Sequence, residues 1–216
     1  MIKTNDLEIS FSGQKIFSDV NIIINKKEKV GFIGRNGSGK STFLKIIIGK
    51  LEQDSGEVMM PKGYKIGHLD QHIKFTQETV VDEVCSVLSG DREYETWKGE
   101  SILTGLGFSY DDMEKKPEAF SGGNQVKINL AKLLLDEPDM LLLDEPTEGV
   151  QSDNIELMAQ IIREEKLKGR GFLIVDQNLT FLEAFNDIMH LIDHGEQIFK
   201  IEGVDFRDEI EARVVI

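Results

Sequence analysis

Gly34-Arg35-Asn36-Gly37-Ser38-Gly39-Lys40-Ser41 reads G-x-x-x-x-G-K-S, the spacing of a loop whose backbone N–H groups wrap a polyphosphate. The flanks fit that reading. Ahead of it Lys29-Val30-Gly31-Phe32-Ile33 is short and apolar, as a buried strand would be, and behind it Thr42–Ile48 has the length and composition of a helix ending at Gly49. A strand, a glycine-rich turn and a helix N-terminus bring several N–H donors and a partial positive charge to one point. Lys40 is then expected to reach the β- and γ-phosphates of ATP and the Ser41 hydroxyl to ligate Mg²⁺. Gly34, Asn36, Gly37, Ser38, Gly39 and Thr42 complete the expected cradle, the glycines because a side chain would hold the backbone off the phosphates. A chance match of the eight letters is the bland alternative; the strand and helix on either side argue against it.

The rest of the chain alternates as an α/β protein does. Val20, Ile22 and Ile24 alternate with polar neighbours, so the first thirty residues read as antiparallel strands. Beyond residue 52 the pattern becomes less regular, broken by Gly56, Pro61, Gly63 and Gly67. Residues 79–89 and 96–116 read as polar helices, a helical subdomain at about 72–120. Helix 126–135, strand 140–143, helix 153–167, strand 172–176, helix 179–186 and a strand near 188–193 follow, with a last hairpin turning at His194-Gly195-Glu196. Such alternation implies a parallel sheet with helices on its faces. At 216 residues the whole chain is expected to form a single domain, 1–216, with the helical part inserted in it.

Bulk properties exclude several function classes. No apolar run approaches the ~18 residues of a membrane span, and Met1–Asp6 lacks a signal-like apolar region, so a cytoplasmic chain is expected. The lone Cys85 allows no intrachain disulfide and suits a reducing compartment; lying in the apolar stretch Val80–Leu88, it reads as a buried thiol. A net charge of −14 opposes broad contact with a phosphate backbone, and no direct DNA binding is expected.

Met140-Leu141-Leu142-Leu143 is a second apolar strand, and it ends in Asp144-Glu145. Ligands of open α/β sheets bind at the carboxyl ends of strands. Asp144 is therefore placed to hold Mg²⁺, directly or through water, and Glu145 to orient or deprotonate an attacking water. Asp136-Glu137-Pro138 carries the same three letters but follows a helical run, and reads as an exposed turn. Ser121-Gly122-Gly123 opens the helix that precedes this strand; by itself it could be a simple helix cap.

Taken together, the phosphate loop, Ser121-Gly122-Gly123, and Leu141-Leu142-Leu143-Asp144-Glu145-Pro146-Thr147, with Gln71 between the first two, resemble the ATP-binding cassette (ABC) family over nearly the whole chain. The resemblance implies an α/β P-loop NTPase of ABC type: a mostly parallel core sheet with helices on both faces, an N-terminal antiparallel β layer and a helical subdomain. It implies a head-to-tail dimer with itself or a paralogous ABC domain, in which Ser121, Gly122 and Gly123 of one copy cap ATP on the phosphate loop of the other. Gln71 matches the family glutamine that touches Mg²⁺, and Phe11 the aromatic that stacks on adenine, with core packing of a strand as the alternative for Phe11. Where most members carry an aspartate and a histidine this chain has Gln151 and Gln177. Glutamine can donate to a γ-phosphate but cannot carry a proton or a charge. None of the four histidines takes over that role; His68, His72, His190 and His194 read as structural or exposed.

Residues 1–140 resemble the ABC-F translation factors, whereas Asp144–Gln151 with Val175-Asp176-Gln177-Asn178 look like the ATPase subunits of branched-chain amino-acid and urea importers. Three functions follow as expectations. The first is an ATPase that powers a membrane-spanning transporter subunit, peripheral at the inner face of the membrane. The second is a ribosome-associated factor, and the third a regulatory cassette that binds ATP without hydrolysing it.

Overall fold

A computed structural model describes residues 1–34, 37–69, 74–148, 152–184, 187–193 and 196–202. Its main sheet has six strands. β4 (Lys29–Ile33) lies at its centre, between β8 (Gly171–Val175) and β9 (Ile188–Asp193); β7 (Met140–Asp144) and β6 (Ile66–Leu69) extend it on one side and β10 (Glu196–Glu202) on the other. All neighbours are parallel except β10, which returns antiparallel along β9. A second, antiparallel sheet is built on β1 (Ile2–Phe11), which pairs with β2 (Gln14–Val20), β3 (Ile23–Ile24) and β5 (Ser55–Met59).

Period-two alternation divides the core. In β7, Met140 and Leu142 enter one apolar cluster and Leu141 and Leu143 the other; in β8 Leu173 and Val175 part in the same way from Phe172 and Ile174. The first cluster is closed by α1 (Lys40–Ile47), through Phe43, Leu44 and Ile47, and by Leu7, Ile9, Phe17 and Val20 of the antiparallel sheet. Helix α1 is thereby held between two sheets. The second cluster is closed by α5 (Gly122–Leu135) and α6 (Ser152–Leu167), and it runs on without interruption into the helical segment.

That segment comprises α2 (Val80–Cys85), α3 (Thr96–Gly105) and α4 (Tyr110–Met113). The stretch 96–116, expected to be mostly helical, forms two helices. Gly107 takes φ +88°, and Ser109 with Asp112 forms a reciprocal cap that starts α4. Helix α5 begins at Gly122, four residues earlier than expected. Two glycines lower helix propensity, but burial of Gly123 overrides it. The strands β5 and β6 were not expected at all: β5 is mostly exposed and β6 has four residues, one of them Gly67. A Cβ at Gly67 would lie 3.0 Å from side chains of Leu141 and Pro138, so glycine lets β6 approach β7. The last helix among the described residues, α7 (Leu179–Glu183), is capped by Asn178, whose side chain accepts from the Phe181 N–H. Among the described residues no helix is long and apolar enough to cross a membrane.

One buried ion pair ties the helical segment to the sheet layer. Glu83 in α2, 1% exposed, accepts from Lys132 in α5 and from the backbone N–H groups of Thr76 and Gln77. Burial alone would raise its pKa, but these donors outweigh burial and hold it below 4.5. Replacing Lys132 by Ala leaves a nearly enclosed carboxylate without its cation. Such a loss costs about 3–5 kcal/mol in a fully enclosed pair; here about 2 kcal/mol is expected, since the two N–H donors remain. A carboxyl whose folded pKa is depressed stabilises the fold above its unfolded pKa and loses that contribution as pH falls through the folded value. The penalty of Lys132→Ala should therefore be full at pH 7 and shrink below pH 4.5 in urea titrations. A penalty independent of pH would mean that Glu83 does not carry it.

Candidate nucleotide site

Strand β4 delivers the chain into the phosphate loop, and the loop's shape follows from its glycines. Gly37 and Gly39 have φ of +81° and +99°, the left-handed region that a side chain disfavours. A Cβ on Gly39 would also lie 2.8 Å from Ile16 and Phe17 of β2, and one on Gly34 would collide with the Ile192 carbonyl. Gly39 is the N-cap of α1, so the first N–H groups of that helix open toward the loop. Lys40 is buried and its ammonium donates to the Gly34 carbonyl at 2.8 Å, folding the side chain back over the loop. Ser38 Oγ is buried and, among the described residues, has no hydrogen-bond partner. An unmet hydroxyl in this loop suits a phosphate oxygen. Thr42 lies half-buried in the first turn of α1.

Two acids face this loop from the end of β7. Ser41 Oγ donates to Asp144 Oδ1 at 2.9 Å, across 103 residues of sequence. Neighbouring ligands of an octahedral Mg²⁺ stand about 2.9 Å apart when each bond is about 2.05 Å. The pair thus offers two hard oxygens at the spacing of a Mg²⁺ ion's adjacent ligands. Lys40 is drawn in both directions: burial pulls its pKa below the ordinary value, while Glu145, Asp144 and Asp176 pull it up. Among the described residues three carboxylates act on Lys40, an arrangement that favours a cation beside them. Among the described residues no cluster of three or more His, Cys, Asp or Glu has the geometry of a metal site. A Mg²⁺ held by one or two protein oxygens and by phosphates needs none.

Glu145 follows directly, half-buried, with φ +48°. A left-handed conformation costs a non-glycine residue roughly 1–2 kcal/mol. It is held by its neighbours: the Glu145 N–H donates to Val175 O at 2.7 Å, and the Glu148 N–H closes a turn onto Glu145 O at 3.1 Å. Gln177, exposed just past the end of β8, donates its side-chain amide to Glu145 Oε1 at 3.5 Å. The expected catalytic carboxylate and the glutamine in the histidine position therefore meet.

Asp176 escaped the sequence reading. It is 3% exposed, and its carboxylate accepts from Thr147 Oγ1 at 2.8 Å, from the Thr147 N–H at 3.1 Å and from the Asn178 N–H at 2.8 Å. Burial pushes its pKa up against those bonds. A signal existed: Phe172-Leu173-Ile174-Val175-Asp176 is an apolar strand closed by an acid, as Met140–Asp144 is.

Phe11 is 45% exposed at the end of β1, so it stands outside the core and is open to stacking. Ser121 and Gly122 are exposed at the start of α5, where the Ser121 side chain makes no cap hydrogen bond and a Cβ on Gly122 would meet nothing within 4 Å. They do not join the phosphate loop of their own chain. Helix α5 packs on β6, three strand positions from β4, a lateral offset of about 14 Å at ~4.8 Å per strand. Asn36, Gln71 and Gln151 lie outside the described residues, as do His72 and His194. His190 is buried edge-on against Phe32 and is structural, as expected. The Asp136–Pro138 turn does not join the site either; Lys65 binds Asp136 at 2.8 Å. Cys85 is partly buried, and burial raises its thiol pKa.

Comparison with known proteins places this geometry. A family model described as "ABC transporter" matches residues 17–148. The uncharacterized ABC transporter ATP-binding protein YfmM of Bacillus subtilis (strain 168) is 32% identical, over 91% of this chain and 45% of its own length. The probable ATP-binding protein YheS of Escherichia coli (strain K12) is 28% identical, over 94% of this chain and 31% of its own. The chain thus spans less than half the length of either relative. Among solved structures, the dimeric post-hydrolysis state of the ATP-binding cassette MJ0796 with ADP and Pi superposes with a TM-score of 0.84 at 21% identity, covering 94% of this chain and 98% of that one. The ADP conformation of MJ1267, a cassette of an ABC transporter, gives 0.83 at 24% identity over 99% and 95%. At such identities the likeness establishes the fold.

Proposed function

The chain belongs to the ABC transporter family, and on that premise we propose that it binds Mg-ATP at Gly34–Thr42, pairs head to tail with a second cassette, and hydrolyses ATP to ADP and phosphate. The observation that carries the proposal is the meeting, at the ends of β7 and β8, of Ser41 with Asp144 and of Glu145 with Gln177 beside Lys40. The loop N–H groups and Lys40 bind the phosphates and take up charge on the leaving ADP. Ser41 and Asp144 would hold Mg²⁺, which neutralises phosphate charge when bound, with Gln71 added by resemblance. Glu145 orients a water toward the γ-phosphate and accepts its proton. Gln177 steadies Glu145 and can donate to the γ-phosphate, with no proton of its own to exchange. Phe11 would stack on the adenine.

Pairing is supported by what the chain leaves unused. The Ser121 side chain makes no cap hydrogen bond among the described residues, and the open space over Gly122 suits a close approach by a partner's phosphate. The MJ0796 cassette, of the same fold, is described as a dimer. In this reading residues 1–216 act as one nucleotide-binding domain whose helical part, about 72–120, docks a membrane-spanning subunit at the cytoplasmic face and moves it as ATP closes and hydrolysis reopens the pair. A second reading, a ribosome-associated factor of ABC-F type, is favoured by one observation: the relatives are more than twice as long as the stretch matched, which leaves room for a second cassette in the same chain. Flotation and sucrose-gradient sedimentation of cell extracts, with the chain locked in its ATP state, separate the two. Transport predicts recovery in membranes with an integral subunit; recovery exclusively with ribosomes would overturn it in favour of the second reading.

A further inference from the structure

We propose that Asp176 is a positioning residue that locks the loop after β7 to the loop after β8, so that Glu145 and Gln177 are set in place as one unit. The inference rests on the ATPase reading of that site and deepens it. Asp144 and Val175 are register partners, so both loops leave their strands at the same level. The Glu145 N–H bond to Val175 O joins them at the base. Two residues on, Asp176 joins them again, taking both polar hydrogens of Thr147 on one side and the Asn178 N–H on the other. Residues 145 and 146 are thereby pinned at both ends, which holds Glu145 in its left-handed conformation. The Asn178 bond fixes the start of α7 and with it the backbone of Gln177. Asp176 meets Gln177 through that residue's backbone N–H and not its side chain; it acts through Thr147, the Gln177 backbone and Asn178.

The test compares Thr147→Val, Thr147→Ser and Asp176→Asn in the full chain. Thr147→Val removes one hydroxyl and leaves every charge in place; Thr147→Ser keeps both bonds. Thr147→Val and Asp176→Asn are each expected to lower kcat at least tenfold with KM for ATP moving less than twofold, and Thr147→Ser to stay near wild type. The double variant Thr147→Val/Asp176→Asn should be no worse than Asp176→Asn alone, because both remove one coupling. Hydrogen exchange without nucleotide supplies a readout independent of turnover. Thr147→Val should speed exchange of the Asn178 amide at least threefold, although Thr147 does not touch it. Unchanged Asn178 exchange in that variant would overturn the proposal, as would kcat and KM changing together in Thr147→Val and Thr147→Ser alike. A wild-type chain without turnover would instead count against the ATPase reading, while the exchange result would still decide the lock. Should Asp176→Asn fail to fold, the two Thr147 variants carry the test alone.

Discussion

Replacing Glu145 by Gln is expected to lower ATP turnover by 10²–10⁴-fold while leaving ATP affinity nearly intact, since this is the range a positioned general base contributes. The substitution is close in shape, and Gln can still accept from Gln177 at the position of Oε1, so the loop geometry should survive. What is lost is the proton acceptor. With the chemical step blocked, the ATP-bound pair should accumulate, and gel filtration with Mg-ATP should show a stable dimer for Glu145→Gln where the wild type shows a transient one. Turnover equal to wild type would remove Glu145 from the mechanism. Loss of ATP affinity would mean that its charge, which acts on Lys40, is needed for binding instead.

The second large effect is on binding. Lys40→Ala should weaken ATP at least a hundredfold, about 3 kcal/mol, the upper end for hydrogen bonds to a charged group. Lys40 is buried and already oriented over the loop through Gly34 O, so little ordering opposes its contact with phosphate. Its removal also leaves Asp144, Glu145 and Asp176 without the cation that faces them, and repulsion between those carboxylates and the phosphates would grow. Titration with a fluorescent ATP analogue reads the loss directly. A dissociation constant within threefold of wild type would show that the phosphates lie elsewhere. Lys132→Ala, which weakens the fold through Glu83 and α2, serves as the control that lowers stability without touching this loop.

Much of this was legible in the sequence because it is local. The phosphate loop, its strand and its helix are contiguous, and the continuous apolar runs of β7 and β8 announce buried strands, the first ended by Asp144-Glu145. Phe11, Ser121 and Gly122 are singled out through the family resemblance, and all three are exposed. What could not be read is long-range. Ser41 and Asp144 are 103 residues apart, and nothing in either segment states that they touch. Asp176 reads as the polar end of a strand until Thr147, 29 residues earlier, is folded against it. β6 is too short to show a period and carries Gly67, whose use is close packing on β7. The break between α3 and α4 turns on Gly107 and the Ser109–Asp112 cap, which helical composition across 96–116 outweighed.

The central claim is that ATP is hydrolysed between two cassettes, with Ser121, Gly122 and Gly123 of one completing the phosphate loop of the other. Mg²⁺-dependent ATP turnover of the purified chain, measured across a wide range of protein concentration, tests it most directly. The account predicts specific activity that rises with concentration and then levels off as the pair forms. Specific activity that stays constant from the lowest concentration to the highest, in a chain that remains a monomer, would contradict it.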